Sequence, residues 1–441
     1  MVGPRQVLAG FLTLSMFVML GNMIKHDHFT SVSERALDAT DDSASVGLTH
    51  LCSTVLRTGK FLWVLAKISD GFGVAVTLKT QLKLAVEATG VELNAMKIAD
   101  NTEITKAGVE LEATEEIKPC WTKPSPKDDQ SNGFVTMSLT IGPEYHSSQI
   151  ADAVVIARYL GATLVLPEIR GNELGKSRKF QDMYDVEKFK MNLDGVVKVV
   201  DKLPAEWTTK KPAVIRVPNR VTEDFILDTI QPAFQKNSYL RLAIIFSSVS
   251  LKPKGTNNKD LDSTACHAMF TGLKLNAEYS EVAEQMLGRL KELSQKSDGR
   301  VLAVDTRTDL LEKKTCKTSA GARRKGCYNP QEVLNFLKKI FNLQSVIAQD
   351  DIMPAEKKGE FLNSGDSDLA RALDLEICSQ SDVFVPAIPG MFYGNVAGKR
   401  IASGLTQILV PAPVVGGSAQ ASDFVSTYIT KKSHFAYSCY C

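Results

Sequence analysis

Residues 133–167 constrain the fold of this chain most strongly, because strand and helix signals alternate within one short stretch. Residues 134–141 are rich in β-branched and apolar side chains, which is typical of a buried parallel strand. A serine at position 147 or 148 is placed to cap a helix, and Gly161 is placed to end it. Residues 164–166 begin a second strand. The stretch therefore predicts a βαβ unit.

The loop over residues 142–149 is the first place in the chain where we expect a ligand site. Gly142 and Pro143 break the preceding strand, and Glu144 and His146 follow them. In parallel sheets, ligands bind at the carboxyl ends of the strands, beside the N-terminus of the next helix. This loop occupies that position in the predicted βαβ unit.

Strand and helix signals continue to alternate along the rest of the chain. We predict strands at residues 195–200, 213–217, 240–247, 300–305, 382–386 and 407–410. We predict helices at residues 184–189, 222–234, 263–270, 280–293, 329–341, 366–379 and 391–403. The alternation predicts an α/β fold with two Rossmann-like domains, residues 118–295 and 296–441, that face each other across a cleft.

The N-terminal region predicts a membrane anchor followed by a stem. Residues 7–24 are eighteen residues without a charge, and a helix of that length spans about 27 Å, enough for a thin bilayer. A cleaved signal peptide is the alternative, but no clear small-x-small cleavage site follows. Residues 1–6 form the preceding tail, and residues 25–117 form the stem. An apolar run at 61–66 within the stem is too short to span a membrane.

Four further stretches accompany residues 133–167 in a recognisable order. They are residues 217–224 (VPNRVTED), residues 303–307 (AVDTR) with 312–314 (EKK), residues 378–390 (CSQSDVFVPAIPG) and the tail 431–441. Together with the first stretch, they resemble the plant O-fucosyltransferase-like glycosyltransferases, and within that family the mannan synthesis-related proteins. The resemblance covers residues 118–441 and the N-terminal anchor.

The resemblance implies a GT-B-like, inverting glycosyltransferase that is a type II protein of the Golgi membrane, with its catalytic part in the lumen, and we predict that it is metal-independent. The implied donor is a nucleotide sugar, GDP-fucose or GDP-mannose, and no other cofactor is expected. The implied acceptor is a polysaccharide or glycan in the synthesis of plant cell-wall mannan or glucomannan. Asp-x-Asp triplets at 260–262 and 366–368 do not follow strands, so they do not predict a metal site. The net charge of +2 gives no sign of a nucleic-acid partner.

One segment departs from the family pattern. Between Phe341 and Asp351 the family normally has a further strand and helix, whereas this chain has only residues 342–350. This predicts that the donor-side sheet lacks one βα unit and closes around the gap. A truncated or mis-spliced sequence is the alternative.

The eight cysteines predict disulfides if the protein is lumenal. Cys316 and Cys327 are placed to close the basic loop between them, and the remaining connectivity stays open. The spacing of Cys439 and Cys441 near the tail is not that of a zinc site.

Arg307 is the strongest candidate for donor binding. It follows the predicted strand 300–305, and it matches the arginine of the family's His/Asp-x-Arg motif. A guanidinium fork suits a diphosphate because it binds two oxygens and keeps its charge. Asp305 stands where related fucosyltransferases often have histidine, and it is expected either to bind a sugar hydroxyl or to pair with Arg307.

Other donor-binding candidates come from the resemblance and from the first loop. Ser379, Ser381 and Asp382 precede the strand 382–386, a region that contacts the nucleotide in related fucosyltransferases. Gly142 belongs to the loop after the first strand. Three residues of the helix at 391–403 are expected to be structural: Asn395, Gly398 and Arg400.

Two residues of the first loop are candidates for the catalytic base. Glu144 lies close to where one fucosyltransferase branch places its catalytic glutamate, and its carboxylate could take the acceptor proton. His146 is the rival, because the ordinary pKa of histidine lies nearer to working pH. A solvated loop position is the alternative for each of them.

Two non-enzymatic functions remain open on the sequence alone. The short 342–350 segment favours an accessory protein that binds and supports a mannan synthase without catalysis. A carbohydrate-binding module is less favoured, because aromatic residues make up only 7% of the chain and form no evident exposed cluster.

Overall fold

A computed structural model describes thirteen segments: residues 62–64, 117–126, 131–170, 177–218, 220–245, 258–295, 299–307, 310–311, 313–314, 316–341, 347–362, 367–412 and 420–441. All of them fall within one compact unit, Thr54–Cys441. The predicted membrane anchor at 7–24 and most of the predicted stem lie outside the described residues. Among the helices of these segments, none is both long enough and apolar enough to cross a bilayer.

The first sheet has seven strands, and all of them lie between residues 118 and 295. They are β2 (Phe134–Leu139), β3 (Thr163–Val165), β4 (Glu168–Arg170), β5 (Ser177–Arg178), β6 (Val199–Val200), β7 (Ala213–Pro218) and β8 (Tyr239–Ile245). Strand β2 pairs with β8 on one side, and with β3 and then β4 on the other. All pairings are parallel except that of β4 with β5. This sheet confirms the α/β class, and β2 lies at its centre.

The predicted βαβ unit is present, with one difference at the start of its helix. Helix α1 (His146–Leu160) ends at Gly161, whose left-handed φ of 61° suits glycine. The prediction that a serine caps α1 is wrong. A 3-10 turn, Pro143–Tyr145, runs directly into the helix, so the first residues of α1 already follow helical backbone and no side-chain cap forms.

Further helices cover the first sheet. They are α2 (Val186–Leu193), α3 (Ala205–Thr208), α4 (Glu223–Phe225), α5 (Gln231–Asn237), α6 (Lys259–Thr271) and α7 (Ala277–Ser294), with a π-helical turn Ile226–Ile230 between α4 and α5. Asn258 and Asn276 accept backbone N–H groups at the starts of α6 and α7, and Thr222 does so at the start of α4. These caps explain why α6 and α7 begin earlier than the sequence predicts.

The second sheet has four strands in the order β10, β1, β9, β11, where β1 is Leu62–Val64, β9 is Leu302–Asp305, β10 is Ile347–Ala348 and β11 is Val383–Pro386. Strands β9 and β11 are parallel, and β1 runs antiparallel to β9 and β10. The expectation that the sheet closes around the 342–350 gap is therefore wrong. A strand from the predicted stem lies between β9 and β10, because its backbone groups complete both ladders.

We call residues 118–295 the first half and residues 296–441 the second half. The helices of the second half pack on this sheet and on the first half. They are α8 (Pro330–Phe341), α9 (Gln349–Ile352), α10 (Lys358–Leu362), α11 (Ser367–Gln380), α12 (Met391–Ala402) and α13 (Thr427–Thr430), with short 3-10 turns at Ala421–Phe424 and Phe435–Ser438. The predicted strand 407–410 forms only isolated bridges, from Ile408 to Phe384 and from Leu409 to Val425. The largest hydrophobic core includes residues of both halves, such as Val135 and Phe392.

Three disulfides are present among the described residues. Cys316–Cys327 confirms the predicted closure of the basic loop. The other two, Cys120–Cys441 and Cys266–Cys439, join the C-terminal tail to the first half. We call residues 431–441 the tail. It also contacts helix α12, because the buried His434 donates from Nε2 to the carbonyl of Gly394 at 2.9 Å.

Candidate functional site

Glu144 is buried at the carboxyl end of β2, in the turn that leads into α1. Two hydrogen bonds and the backbone conformation of a glycine hold this turn in place. Asn395 of α12 donates to the carbonyl of Glu144 at 3.2 Å, and Gln149 of α1 accepts from the backbone N–H of Thr140 at 3.0 Å. Gly142 has φ of 95°, and a Cβ at that position would lie 3.0 Å from Oε2 of Glu144. A glycine is therefore needed for the carboxylate to occupy this place.

Arg307 lies just beyond β9 and faces this turn. Its Nη1 is 3.6 Å from Oε1 of Glu144, and the exposed fraction of each side chain is 4%. Asp305 fixes the guanidinium, accepting from Nε at 3.1 Å and from Nη2 at 3.2 Å. The guanidinium also lies 5.0 Å from the ring centroid of Phe392. Of the two roles expected for Asp305, the structure shows the pairing with Arg307.

Helix α11 contributes charged side chains that the sequence analysis did not place at this site. Nη1 of Arg371 lies 3.4 Å from Oε1 of Glu144, and Asp368 and Asp374 lie one turn away on either side of Arg371. Spacing of three residues places all of them on one face of the helix, which is otherwise surrounded by apolar residues. That spacing was visible in the sequence, and charges on a buried helix face are the signal that would have identified them.

Asp374 is fully buried and accepts from Nε2 of Gln349 at 2.9 Å, while its other oxygen has no hydrogen-bond partner. Burial raises the pKa of this carboxyl well above its usual range, with the charge of Arg371 opposing the rise. The carboxyl therefore stays protonated to a higher pH in the folded protein than in the unfolded chain.

We expect Asp374→Asn to gain stability relative to the wild type as the pH rises. Because the pKa of Asp374 is higher in the folded than in the unfolded state, its contribution to stability is complete below the pKa of the unfolded state. That contribution is lost as the pH rises through the pKa of the folded state. Asparagine does not titrate. Between the pKa values of Asp374 in the unfolded and folded states, the free energy of unfolding of the variant should therefore rise relative to that of the wild type by about 1.4 kcal/mol per pH unit. Urea unfolding at pH 5 and pH 8 measures this, and equal differences at both pH values would contradict it.

His146 is fully buried, and both of its ring nitrogens have internal partners. Its Nε2 donates to the carbonyl of Thr140 and its Nδ1 accepts from the hydroxyl of Tyr184, each at 2.7 Å. Burial lowers the pKa of His146 to about 4, so the ring is neutral at pH 7. This geometry favours a structural role for His146, and it leaves Glu144 as the better placed of the two base candidates.

The structure does not bring Ser379, Ser381 and Asp382 together with Arg307. Strands β9 and β11 pair Val383 with Leu302 and Pro386 with Asp305, so these three residues precede the amino end of β11. Their side chains bond to nearby backbone: Ser379 to Leu375, Ser381 to Cys378 and Val383, and Asp382 to Val301.

Arg400 has the structural role that the sequence predicts. Its fully buried guanidinium donates to the backbone carbonyls of Cys378, Ser381, Asp382 and Gln407. These contacts hold the end of α11, the two residues that follow it and Gln407 together through their backbone carbonyls.

A polar groove of about 440 Å³ is lined by residues of both halves, among them Pro143 and Asn395, which are the chain neighbour and the hydrogen-bond partner of Glu144. Ser147 also belongs to the lining, and the charged and aromatic lining residues include Lys274, Glu376, Lys399 and Tyr440. Its volume lies within the range of small-molecule sites, and its polar lining suits hydroxyl-rich ligands.

Fold and site together define an α/β protein in which an arginine at a strand end faces a buried loop carboxylate beside a polar groove. A family profile described as GDP-fucose protein O-fucosyltransferase matches residues 146–343. Protein MANNAN SYNTHESIS-RELATED 1 of Arabidopsis thaliana is 42% identical over the full length of both chains. Protein MANNAN SYNTHESIS-RELATED of Trigonella foenum-graecum is 38% identical over 99% of this chain and 98% of its own. The chain therefore belongs to the plant O-fucosyltransferase-like family, as the motifs predicted.

A crystal structure of POFUT1 in complex with GDP-fucose is a distant structural relative. It is 14% identical, with a TM-score of 0.32, over 64% of this chain and 99% of that chain. A similarity at this level is too remote to assign a fold.

Proposed function

We propose that this protein is a glycosyltransferase of GT-B type that uses a GDP-sugar, GDP-fucose or GDP-mannose, to extend or modify a mannan or glucomannan. The observation that carries the proposal is the guanidinium of Arg307 at the end of β9, fixed by Asp305 and facing Glu144. An arginine held in this way matches the geometry of a diphosphate. The family profile and the names of the full-length relatives support the choice of donor and pathway.

The proposed reaction is a single displacement that needs no metal. The acceptor hydroxyl gives its proton to the carboxylate of Glu144, and its oxygen forms a bond to C1 of the donor sugar. The bond from C1 to the diphosphate breaks with its electron pair on the phosphate oxygen, where Arg307 stabilises the charge. Attack from the face opposite the diphosphate inverts C1. The acceptor lies in the polar groove, whose lining includes Pro143 and Ser147.

We further propose that the protein is a type II protein of the Golgi membrane, that residues 7–24 anchor it, and that the described part lies in the lumen. The uncharged segment supports the anchor, and three disulfides among the described residues suit an oxidising compartment.

The second candidate function is a non-catalytic accessory protein that supports a mannan synthase. The observation that favours it is the burial of Arg307 and Glu144, each of which is already paired with a charge of this chain. An enzyme with this site has to open before it binds its donor, whereas an accessory protein does not.

Calorimetric titration with GDP tests the proposal. The full-length chain is used because β1, from the predicted stem, belongs to the second sheet. We expect micromolar binding of GDP, weaker binding of UDP, and transfer or slow hydrolysis of GDP-fucose or GDP-mannose. If GDP binds but neither sugar is transferred or hydrolysed, and co-expression still raises mannan synthase output, the accessory function is correct. Absence of GDP binding would refute the nucleotide-sugar site.

A further inference from the structure

The carboxylate of Glu144 lies between two guanidiniums and makes a close contact with neither. Its Oε1 is 3.6 Å from Nη1 of Arg307 and 3.4 Å from Nη1 of Arg371. Charge-assisted hydrogen bonds of this type are usually about 2.7–2.9 Å long. The second oxygen, Oε2, is buried and has no hydrogen-bond partner. The carboxylate of Glu144 is therefore shared loosely between the two guanidiniums, of which Arg307 is also held by Asp305.

We infer that Arg371 is a second phosphate-binding residue for the donor, and that Glu144 occupies the phosphate position when no donor is bound. This inference rests on the proposed function. A diphosphate carries more charge and more oxygens than one carboxylate, so it can fill both guanidinium forks. The side chain of Arg371 is 18% exposed, against 4% for that of Glu144, so an incoming anion can reach Arg371 first.

The surroundings of Arg307 favour an anion at the same place. Gly390 precedes the twelve-residue helix α12, and a Cβ on Gly390 would lie 3.8 Å from Nη2 of Arg307. The guanidinium also lies against Phe392 in the first turn of that helix. The positive end of the α12 dipole thus lies beside the guanidinium of Arg307.

Displacement by the donor gives Glu144 a second position in the reaction. The turn that carries Glu144 borders the polar groove through Pro143. A carboxylate released from the two arginines can turn towards an acceptor hydroxyl in that groove. Donor binding then both fills the phosphate site and frees the base.

Three variants of the full-length chain test this inference by calorimetric titration with GDP and with inorganic pyrophosphate. Arg371→Gln should weaken the binding of both ligands at least tenfold, because both contain the diphosphate. Glu144→Gln should tighten GDP binding several-fold, because it removes the competing charge. Arg323→Gln is the matched control, since Arg323 is an exposed arginine paired with Glu332, and it should bind as the wild type does.

The outcomes separate this inference from the proposed function. If Arg371→Gln binds GDP as tightly as the wild type does, Arg371 merely neutralises the acids of α11 and the inference is wrong, while the proposed function stands. Equal affinities of Glu144→Gln and the wild type would overturn the role of Glu144 as a stand-in for phosphate. If the wild type binds neither ligand, the proposed function and the inference fail together.

A folding defect in Arg371→Gln is addressed by the double variant Glu144→Gln/Arg371→Gln. It removes one charge of each sign from the buried cluster, so it should fold even where the single variant does not. We expect the double variant to bind GDP at least tenfold more weakly than Glu144→Gln does. Equal binding of the two would overturn the role of Arg371.

Discussion

Arg307→Ala is expected to weaken GDP binding at least about 100-fold, which corresponds to about 3 kcal/mol of binding free energy. The guanidinium is already fixed by Asp305, so little conformational entropy is lost when it meets a diphosphate. Removing it also leaves the Asp305 carboxylate without its partner beside the incoming phosphates. Calorimetric titration with GDP measures the loss, and Arg307→Lys should recover only part of the affinity, because it restores the charge without the fork.

The matched control for this prediction is Arg158→Ala. Arg158 is also a buried arginine in an ion pair, with Nη2 2.7 Å from Oδ1 of Asp260, but it joins α1 to α6 away from the site. Loss of Arg307 leaves the buried Asp305 carboxylate uncompensated, and loss of Arg158 leaves the carbonyls of Ser125 and Val196 without a donor, so both variants should be less stable than the wild type. Only Arg307→Ala should lose GDP affinity. If both variants lose it equally, general destabilisation is the cause and Arg307 does not bind the donor.

Removal of the Cys266–Cys439 disulfide is expected to cost about 4–5 kcal/mol of unfolding free energy, against about 3 kcal/mol for Cys316–Cys327. The first bond links residues 173 apart in the sequence and the second residues 11 apart, so the first restricts the unfolded chain more. Paired serine variants, Cys266→Ser/Cys439→Ser and Cys316→Ser/Cys327→Ser, keep both sites free of unpaired thiols. Guanidinium unfolding of both variants under oxidising conditions measures the difference.

Identical unfolding midpoints for the two paired variants would contradict this expectation. The wild type in reducing agent is a further control, because it should be less stable than either paired variant. Catalytic or binding assays are not needed for this comparison. The difference in unfolding free energy reports only how much the disulfide between the tail and the first half contributes to stability.

The sequence carries enough information to predict the elements around Glu144 and Arg307. Gly161 and the apolar run before Gly142 predicted β2, α1 and β3 to within one or two residues, because strand and helix periodicities differ sharply there. The position of Arg307 after a buried strand predicted its place at the carboxyl end of the second sheet. Such features depend on local sequence and on the geometry of parallel sheets.

Other features depend on contacts that no local pattern encodes. The pairing of Arg371 with Glu144 joins residues that are more than two hundred positions apart in the chain. The burial of His146 follows from its contact with Tyr184, and a loop position in the sequence does not reveal it. The insertion of β1 between β9 and β10 pairs an isolated apolar run with strands of the second half. Each of these required the assembled fold.

The tail has a consequence for how the donor reaches its site. It packs against α12 in the second half, and its two disulfides bind it to Cys120 and Cys266 in the first. Tyr440, within this tether, also lines the polar groove. If the two halves move apart, the side joined by the tail acts as the hinge. The groove should then widen least beside Tyr440, and a nucleotide should enter from the side away from the tail.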